Sequence, residues 1–232
     1  MIEELKRRVC QANLDLVRHG LIVSTWGNAS AFDPVSGMVV IKPSGVAYDS
    51  MKPSDMVAVS IKTGKPLDNH LRPSSDTATH LELYRAFKGM RGVVHTHSIY
   101  ATAWAQACRE IPPLGTTHAD YFQGSIPCTR ALRPKEIREN YELNTGLTIV
   151  ERFQNLDPMT MRAILVAHHA PFTWGATIEE AVENAVVLEF VARLASETFR
   201  IKGKAARMPP SLLDKHFRRK HGPDAYYGQH GK

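Results

Sequence analysis

The chain has 232 residues, 43% apolar and 22% charged, with 29 basic against 23 acidic side chains and a net charge of +6. That composition can bury a sizeable core and excludes a disordered chain, while its longest apolar runs, such as Ala163-Ile164-Leu165-Val166-Ala167, are far short of the roughly 20 residues that cross a bilayer. Three widely spaced cysteines without a Cys-x-x-Cys exclude a disulfide framework and a thiolate zinc site.

In chain order, Ile2, Leu5, Val9 and Leu16 or Val17 mark one stripe of a helix over residues 2–19, stopped at Gly20. Acidic residues near the start stand where a signal peptide would be apolar, so a cytoplasmic protein is expected. Residues 21–23 read as a strand. Strands over 29–32 and 38–41 flank Asp33-Pro34-Val35-Ser36-Gly37, a turn composition, and predict a hairpin. Another strand covers 57–61. A helix over 76–87 has Ser74 or Ser75 as its expected cap, a strand ends in His95, and a helix covers 98–107. Irregular chain runs to about residue 129, followed by strands near 147–153 and 163–167. Thr177 with Glu180 three residues on is a capping box and opens a helix to about residue 199. Hairpins mixed with helices predict a single domain with a sheet that is not purely parallel, covered by helices on its faces.

The chemically able residues cluster at strand ends. His95 and His97 are two apart, so on a strand both imidazoles face one side and can converge on a metal ion. An ion that does chemistry needs about three protein ligands and an open position. His168-His169, after an apolar strand, offers the third, but neighbours on a strand face opposite ways, so only one of the pair can join. Asp76 can serve as an oxygen ligand or a base. Gly27-Asn28, Lys42-Pro43-Ser44-Gly45 and Pro73-Ser74-Ser75-Asp76 combine small residues, hydroxyls and free amides suited to a phosphate. No P-loop, Gly-x-Gly-x-x-Gly or Gly-x-Ser-x-Gly occurs. The basic run Lys215-His216-Phe217-Arg218-Arg219-Lys220-His221 reads as a solvated helix face or a flexible end; without interleaved aromatics or a recognised fold signature, nucleic-acid binding is not expected.

Trp26-Gly27-Asn28-Ala29-Ser30, Lys42-Pro43-Ser44-Gly45, Arg72-Pro73-Ser74-Ser75-Asp76-Thr77, Val94-His95-Thr96-His97-Ser98, Thr116-Thr117-His118-Ala119-Asp120-Tyr121-Phe122 and His169-Ala170-Pro171-Phe172 together resemble the class II aldolase/epimerase family. Ile126-Pro127-Cys128-Thr129-Arg130 and the tail from Leu213 to Gln229 are similar to its 4-epimerase branch. The resemblance spans nearly all of 1–232 as one domain, with the tail 205–232 contributing to the active site. It implies an α/β fold, a three-layer α/β/α arrangement with a central, mostly antiparallel sheet, assembled into a homotetramer with active sites between subunits. It implies that His95, His97 and His169 hold a divalent ion, usually zinc and one per chain, with Asp76 as a possible fourth ligand. Gly27, Asn28, Lys42, Ser44, Gly45, Ser74 and Ser75 map onto substrate- and phosphate-binding segments, Asp120 and Tyr227 onto the acid/base pair, and His216 onto a supporting position. Ala170 stands where the family usually has Gly. The implied reaction is metal-dependent epimerisation of a phosphorylated ketopentose, L-ribulose 5-phosphate to D-xylulose 5-phosphate at C4, by retro-aldol cleavage and re-formation. The alternative is a sugar-phosphate aldolase of the same fold, although family aldolases place Glu at the position of Asp76.

Overall fold

Apolar and small residues at helical spacing fold α1 (Ile2–Arg18) with Val9, Ala12 and Leu16 buried along one side. Asn13, on the same side, is fully buried because it acts as a piece of backbone: its amide donates to the Ala29 carbonyl and its oxygen accepts the Ala29 N–H. That pair pins the helix to β1 (Asn28–Asp33), next to Asn28. The computed structural model describes residues 2–68, 70–221 and 225–227; Gly222, Gly228 and Gln229 of the tail motif lie outside them.

β1 and β2 (Met38–Ile41) form the expected hairpin. Its turn is held by the Asp33 carboxylate, which accepts from the N–H groups of Val35 and Ser36 and from the Ser36 hydroxyl. β3 (Val57–Ser60), β4 (Gly92–His95), β5 (Ala163–Leu165) and β6 (Pro171–Gly175) complete a six-stranded sheet in the order β3-β2-β1-β4-β6-β5, every pair antiparallel. The helices are α2 (Thr77–Ala86), α3 (Ile99–Gln106), α4 (Thr116–Ala119), α5 (Pro134–Arg138), α6 (Tyr141–Arg152), α7 (Ile178–Ile201) and α8 (Pro210–Lys220).

Alternation along the strands divides the core into two layers. Ala29, Ala31, Val40 and Val94 face α1 and the first half of α7. Val39, Ile41, Val93, Phe172 and Trp174 face the other way, into a larger layer with α2, α3 and α6, where the second half of α7 contributes Leu188, Val191, Ala192 and Ala195. This is the expected single-domain α/β/α arrangement around an antiparallel sheet.

Several local expectations are corrected. Residues 21–23 are not a strand: Leu21 is buried, and a Trp26 N–H to Val23 carbonyl bond turns the chain. Residues 147–153 belong mostly to α6. Their β-branched run favours an extended chain in isolation, but Thr145, Ile149 and Phe153 recur at helical spacing and are buried, and Gly146 lets α6 press against Thr79 of α2, where a Cβ would lie 3.1 Å from the Thr79 carbonyl oxygen. α2 starts after Asp76, and neither Ser74 nor Ser75 caps it: the Ser74 hydroxyl instead accepts from Asp76 N–H and the Asn28 amide. α4 and α5 interrupt or follow chain expected to be irregular to residue 129, and β6 has no counterpart among the expected strands. The basic run up to Lys220 lies on helix α8, as one of its two expected readings has it, but its Phe217 is buried and not solvated. Among the described residues, no helix is long and apolar enough to cross a membrane.

Candidate metal centre and substrate pocket

β4 delivers His95 at its last residue, 1% exposed. Its Nδ1 lies 3.0 Å from the Pro171 carbonyl oxygen, so Nδ1 carries the proton and Nε2 keeps its lone pair. Phe172 of the neighbouring strand stacks on the ring at 4.3 Å and fixes its plane. The strand ends there, yet His97 still converges: the two Nε2 atoms are 3.1 Å apart. His169 comes from the turn between β5 and β6, closed by the bonds Val166 N–H to Ala170 and His169 N–H to Val166. Within that turn His168 takes a left-handed backbone, φ +60°, which separates the paired histidines. His168 is exposed with Nε2 3.3 Å from the Cys108 sulfur, while His169 points inward, 3.5 Å from the Tyr141 hydroxyl.

The ligand atoms of His95, His97 and His169 all lie within 4.8 Å of one another. Burial and the neighbouring imidazoles push His97 down to about 4 and His169 to about 3, against the opposing effect of Asp76. At neutral pH both are neutral, the ligating form. Three imidazoles converging from two chain segments are a donor set that fits a divalent ion. Asp76 borders the same pocket, its carboxylate accepting from the Asn28 amide at 2.6 Å. Burial pushes this carboxyl up, but His95, His80 and the Asn28 bond outweigh it and hold it below the usual carboxylate range.

The histidines open onto a pocket of about 410 Å³ whose walls include Trp26, Gly27, Asn28, Lys42, Ser44, Gly45, Ser74, Ser75 and Asp76. Two of its loops are zipped together: Ser44 N–H donates to Arg72 and Ser74 N–H to Lys42. Gly27 must be glycine, since φ is +95° and a Cβ would lie 2.9 Å from the His95 carbonyl oxygen. Lys42 is 2% exposed, its ammonium donating to the carbonyls of Pro43 and Val46 and lying 4.7 Å from the Tyr48 ring; burial pushes its pKa down. The serines contrast: Ser74 is buried, Ser44 and Ser75 are exposed.

The other expected residues gather elsewhere. Asp120, at the end of α4, accepts from His216 Nδ1 at 2.9 Å and from both Nε and Nη2 of Arg219 at 2.9 and 2.7 Å. Burial pushes its pKa up, but Arg219 and His216 more than compensate and leave it below the usual range. Tyr227 is exposed, with Arg219 4.8 Å and Lys220 4.7 Å from its ring. None of Asp120, His216 and Tyr227 lines the histidine pocket. Sequence reasoning missed Tyr141 and Glu142 of the pocket wall, because they start a helix that the sequence pattern does not announce. It also gave no role to Arg219, which a count of basic residues does not distinguish from its neighbours.

Residues 7–196 match the family described as Class II Aldolase and Adducin N-terminal domain. The fold is similar to that of an L-fuculose 1-phosphate aldolase, 22% identical with a TM-score of 0.78, covering 93% of this chain and 95% of that one. It is also similar to the L-fuculose-1-phosphate aldolase of Thermus thermophilus, 25% identical, TM-score 0.69, over 87% and 98% of the two chains. A sugar-phosphate aldolase from Thermotoga maritima is 19% identical, with a TM-score of 0.68, over 89% and 98%. The chain belongs to the Class II aldolase and adducin N-terminal domain family.

Proposed function

We propose that this protein is a divalent-metal-dependent L-ribulose-5-phosphate 4-epimerase, interconverting that ketose and D-xylulose 5-phosphate by breaking and re-forming the C3–C4 bond. The observation that carries the proposal is one pocket bordered both by the three imidazoles and by the two zipped serine loops. A carbinol carbon without an acidic hydrogen is not inverted by simple proton abstraction, so cleavage of the adjacent bond is the direct route. His95, His97 and His169, with Asp76 as a fourth ligand, would hold a divalent ion, which would supply Lewis-acid polarisation to the ketose oxygens.

The chain's residues do the rest. Ser44, Gly45, Ser74 and Ser75 offer hydroxyls and amides to the phosphate, with the Lys42 charge behind them, and hold the two-carbon aldehyde fragment while it turns. Asp120 and Tyr227 exchange the C4 oxygen's proton on opposite faces, one for each epimer, with His216 supporting Asp120. Since these groups lie away from the pocket of their own chain, the tail of one copy serves the pocket of a neighbouring copy in a homotetramer.

Purified protein incubated with L-ribulose 5-phosphate should form D-xylulose 5-phosphate without accumulating glycolaldehyde phosphate. The second reading, an aldolase, is favoured by the similarity to the L-fuculose-1-phosphate aldolase of Thermus thermophilus. Release of glycolaldehyde phosphate and dihydroxyacetone, or rapid cleavage of L-fuculose 1-phosphate, would decide for it.

A further inference from the structure

The groups around Asp120 converge on one side chain that the proposed chemistry has not used. The Arg219 guanidinium meets the Asp120 carboxylate side-on through Nε and Nη2, lies 4.8 Å from the Tyr227 ring, and its residue's carbonyl accepts the N–H groups of both Tyr226 and Tyr227 at 3.0 and 2.9 Å. The pair is sheltered, with side-chain exposures of 24% for Arg219 and 12% for Asp120. We infer that Arg219 is the positioning residue of the acid/base pair, fixing the Asp120 carboxylate and the Tyr227 ring against one planar cation. The inference deepens the epimerase reading and rests on its assignment of Asp120 and Tyr227.

Only a guanidinium has this combination of contacts. Its planar fork matches two carboxylate oxygens while its face stacks on an aromatic ring; an ammonium is a point charge that can satisfy one demand at a time. The other charged and titratable groups around Asp120 are His216 and Lys220 from α8, His221, whose Nε2 donates to the Asp120 carbonyl, and Tyr121, whose hydroxyl donates to Glu183 of α7. Lys220 stands over the rings of both Tyr121 and Tyr227. Of these, only Arg219 bonds both Asp120 carboxylate oxygens. Oδ1 accepts from two donors and Oδ2 from one, so Oδ2 retains a lone pair for a substrate proton.

The sign of the effect follows. A carboxylate acting as base works only when ionised, so activity falls as pH drops through its pKa. Removing the cation raises that pKa, and the acid limb of the pH–rate profile moves to higher pH. In the full-length, metal-loaded protein, Arg219→Gln should lower kcat by about 10–100-fold, leave KM within about threefold and move the acid limb up by about 1–3 pH units. Arg219→Lys should keep most of the limb's position and lose most of the rate. A purely structural role would lower kcat at every pH with the limb unmoved, and a phosphate-binding role would raise KM with kcat intact; either result overturns the inference. A 13C NMR titration of the Asp120 carboxyl, assigned with Asp120→Asn, reads the same interaction without turnover. Its midpoint should rise in Arg219→Gln, and an unmoved midpoint overturns the pairing. Wild-type protein that fails to interconvert the pentose phosphates overturns the epimerase reading and, with it, the role given to Arg219, whatever the carboxyl titration shows.

Discussion

A single carbonyl orients the centre of the site. Because the Pro171 carbonyl accepts the Nδ1–H of His95, the imidazole presents Nε2 to His97 and His169, and the buried environment keeps both of those neutral. About one divalent ion per chain is therefore expected by elemental analysis, and His97→Asn should carry far less. His169→Ala should also lose the ion, whereas His168→Ala, which removes a side chain directed at Cys108, should keep it. The reverse pattern would put the ligand on the wrong side of the turn. The His-x-His pair and the serine loops of the pocket are legible in the sequence because glycines, serines and spaced histidines carry their chemistry locally. The choice between His168 and His169 is not legible from strand alternation, since a left-handed residue in a tight turn breaks that alternation. Tyr141 and Glu142 are invisible there because only the packing of α6 brings them to the pocket.

Other histidines matter for stability rather than ligation. His118 is 3% exposed, its Nε2 donating to the Gly124 carbonyl at 2.7 Å and its Nδ1 without a partner among the described residues. Burial pushes it down to about 4, with the Gly124 bond opposing. A histidine depressed on folding contributes stability in full above its unfolded pKa of about 6.5, and that contribution is lost as pH falls toward 4. Between pH 7 and pH 5 this one residue should lose about 2 kcal/mol. His118→Gln, which can still donate to Gly124, should show a correspondingly smaller difference between urea unfolding at the two pH values. An identical difference in both proteins would show that His118 is not held neutral.

At the scale of elements, the site depends on where α7 starts. Thr177 caps it by accepting the Glu180 N–H, one half of the expected capping box, while the Glu180 carboxylate accepts from the Ala176 N–H and not from Thr177. The helix then sits so close to β4 that a Cβ on Gly92 would lie 2.6 Å from the Thr177 carbonyl oxygen and 2.5 Å from the Ile178 Cα. Backbone cannot yield as a flexible side chain can. Gly92→Ala should cost about 1–3 kcal/mol and lower Tm by about 3–10 °C. Because β4 ends in His95, metal affinity should fall as well. Calorimetry with titrated metal checks both, and an unchanged Tm would mean that strand and helix are not in this contact. Long amphipathic elements and the hairpin are readable because their periodicity or turn chemistry is local. α6 is not, because its β-branched residues favour a strand in isolation, and burial against α2 reverses that preference. α8 looks like no more than a basic surface in the sequence, since its anchors, Phe217 and the Arg219–Asp120 pair, depend on a partner about a hundred residues away.

Over the whole molecule, the expected active-site residues fall into two groups on one chain, the histidine pocket and the Asp120–Arg219–Tyr227 cluster, and the epimerase reading requires them to meet between copies. In the proposed homotetramer such an interface would be heterologous, one surface of a copy against a different surface of its neighbour. The consequence is complementation. His97→Asn leaves the tail cluster intact, and Tyr227→Phe leaves the pocket intact. Each variant alone should retain its fold and lose interconversion, by about 10²–10⁴-fold for the tyrosine. When the two are unfolded together and reassembled, some sites pair an intact pocket with an intact tail, and roughly a quarter of wild-type activity should return under random mixing. Metal content should track the fraction of chains carrying His97. If the variants assemble together and no activity returns, the pocket and the tail that serve one reaction belong to the same chain, and the tail would have to swing across its own molecule to reach the histidines.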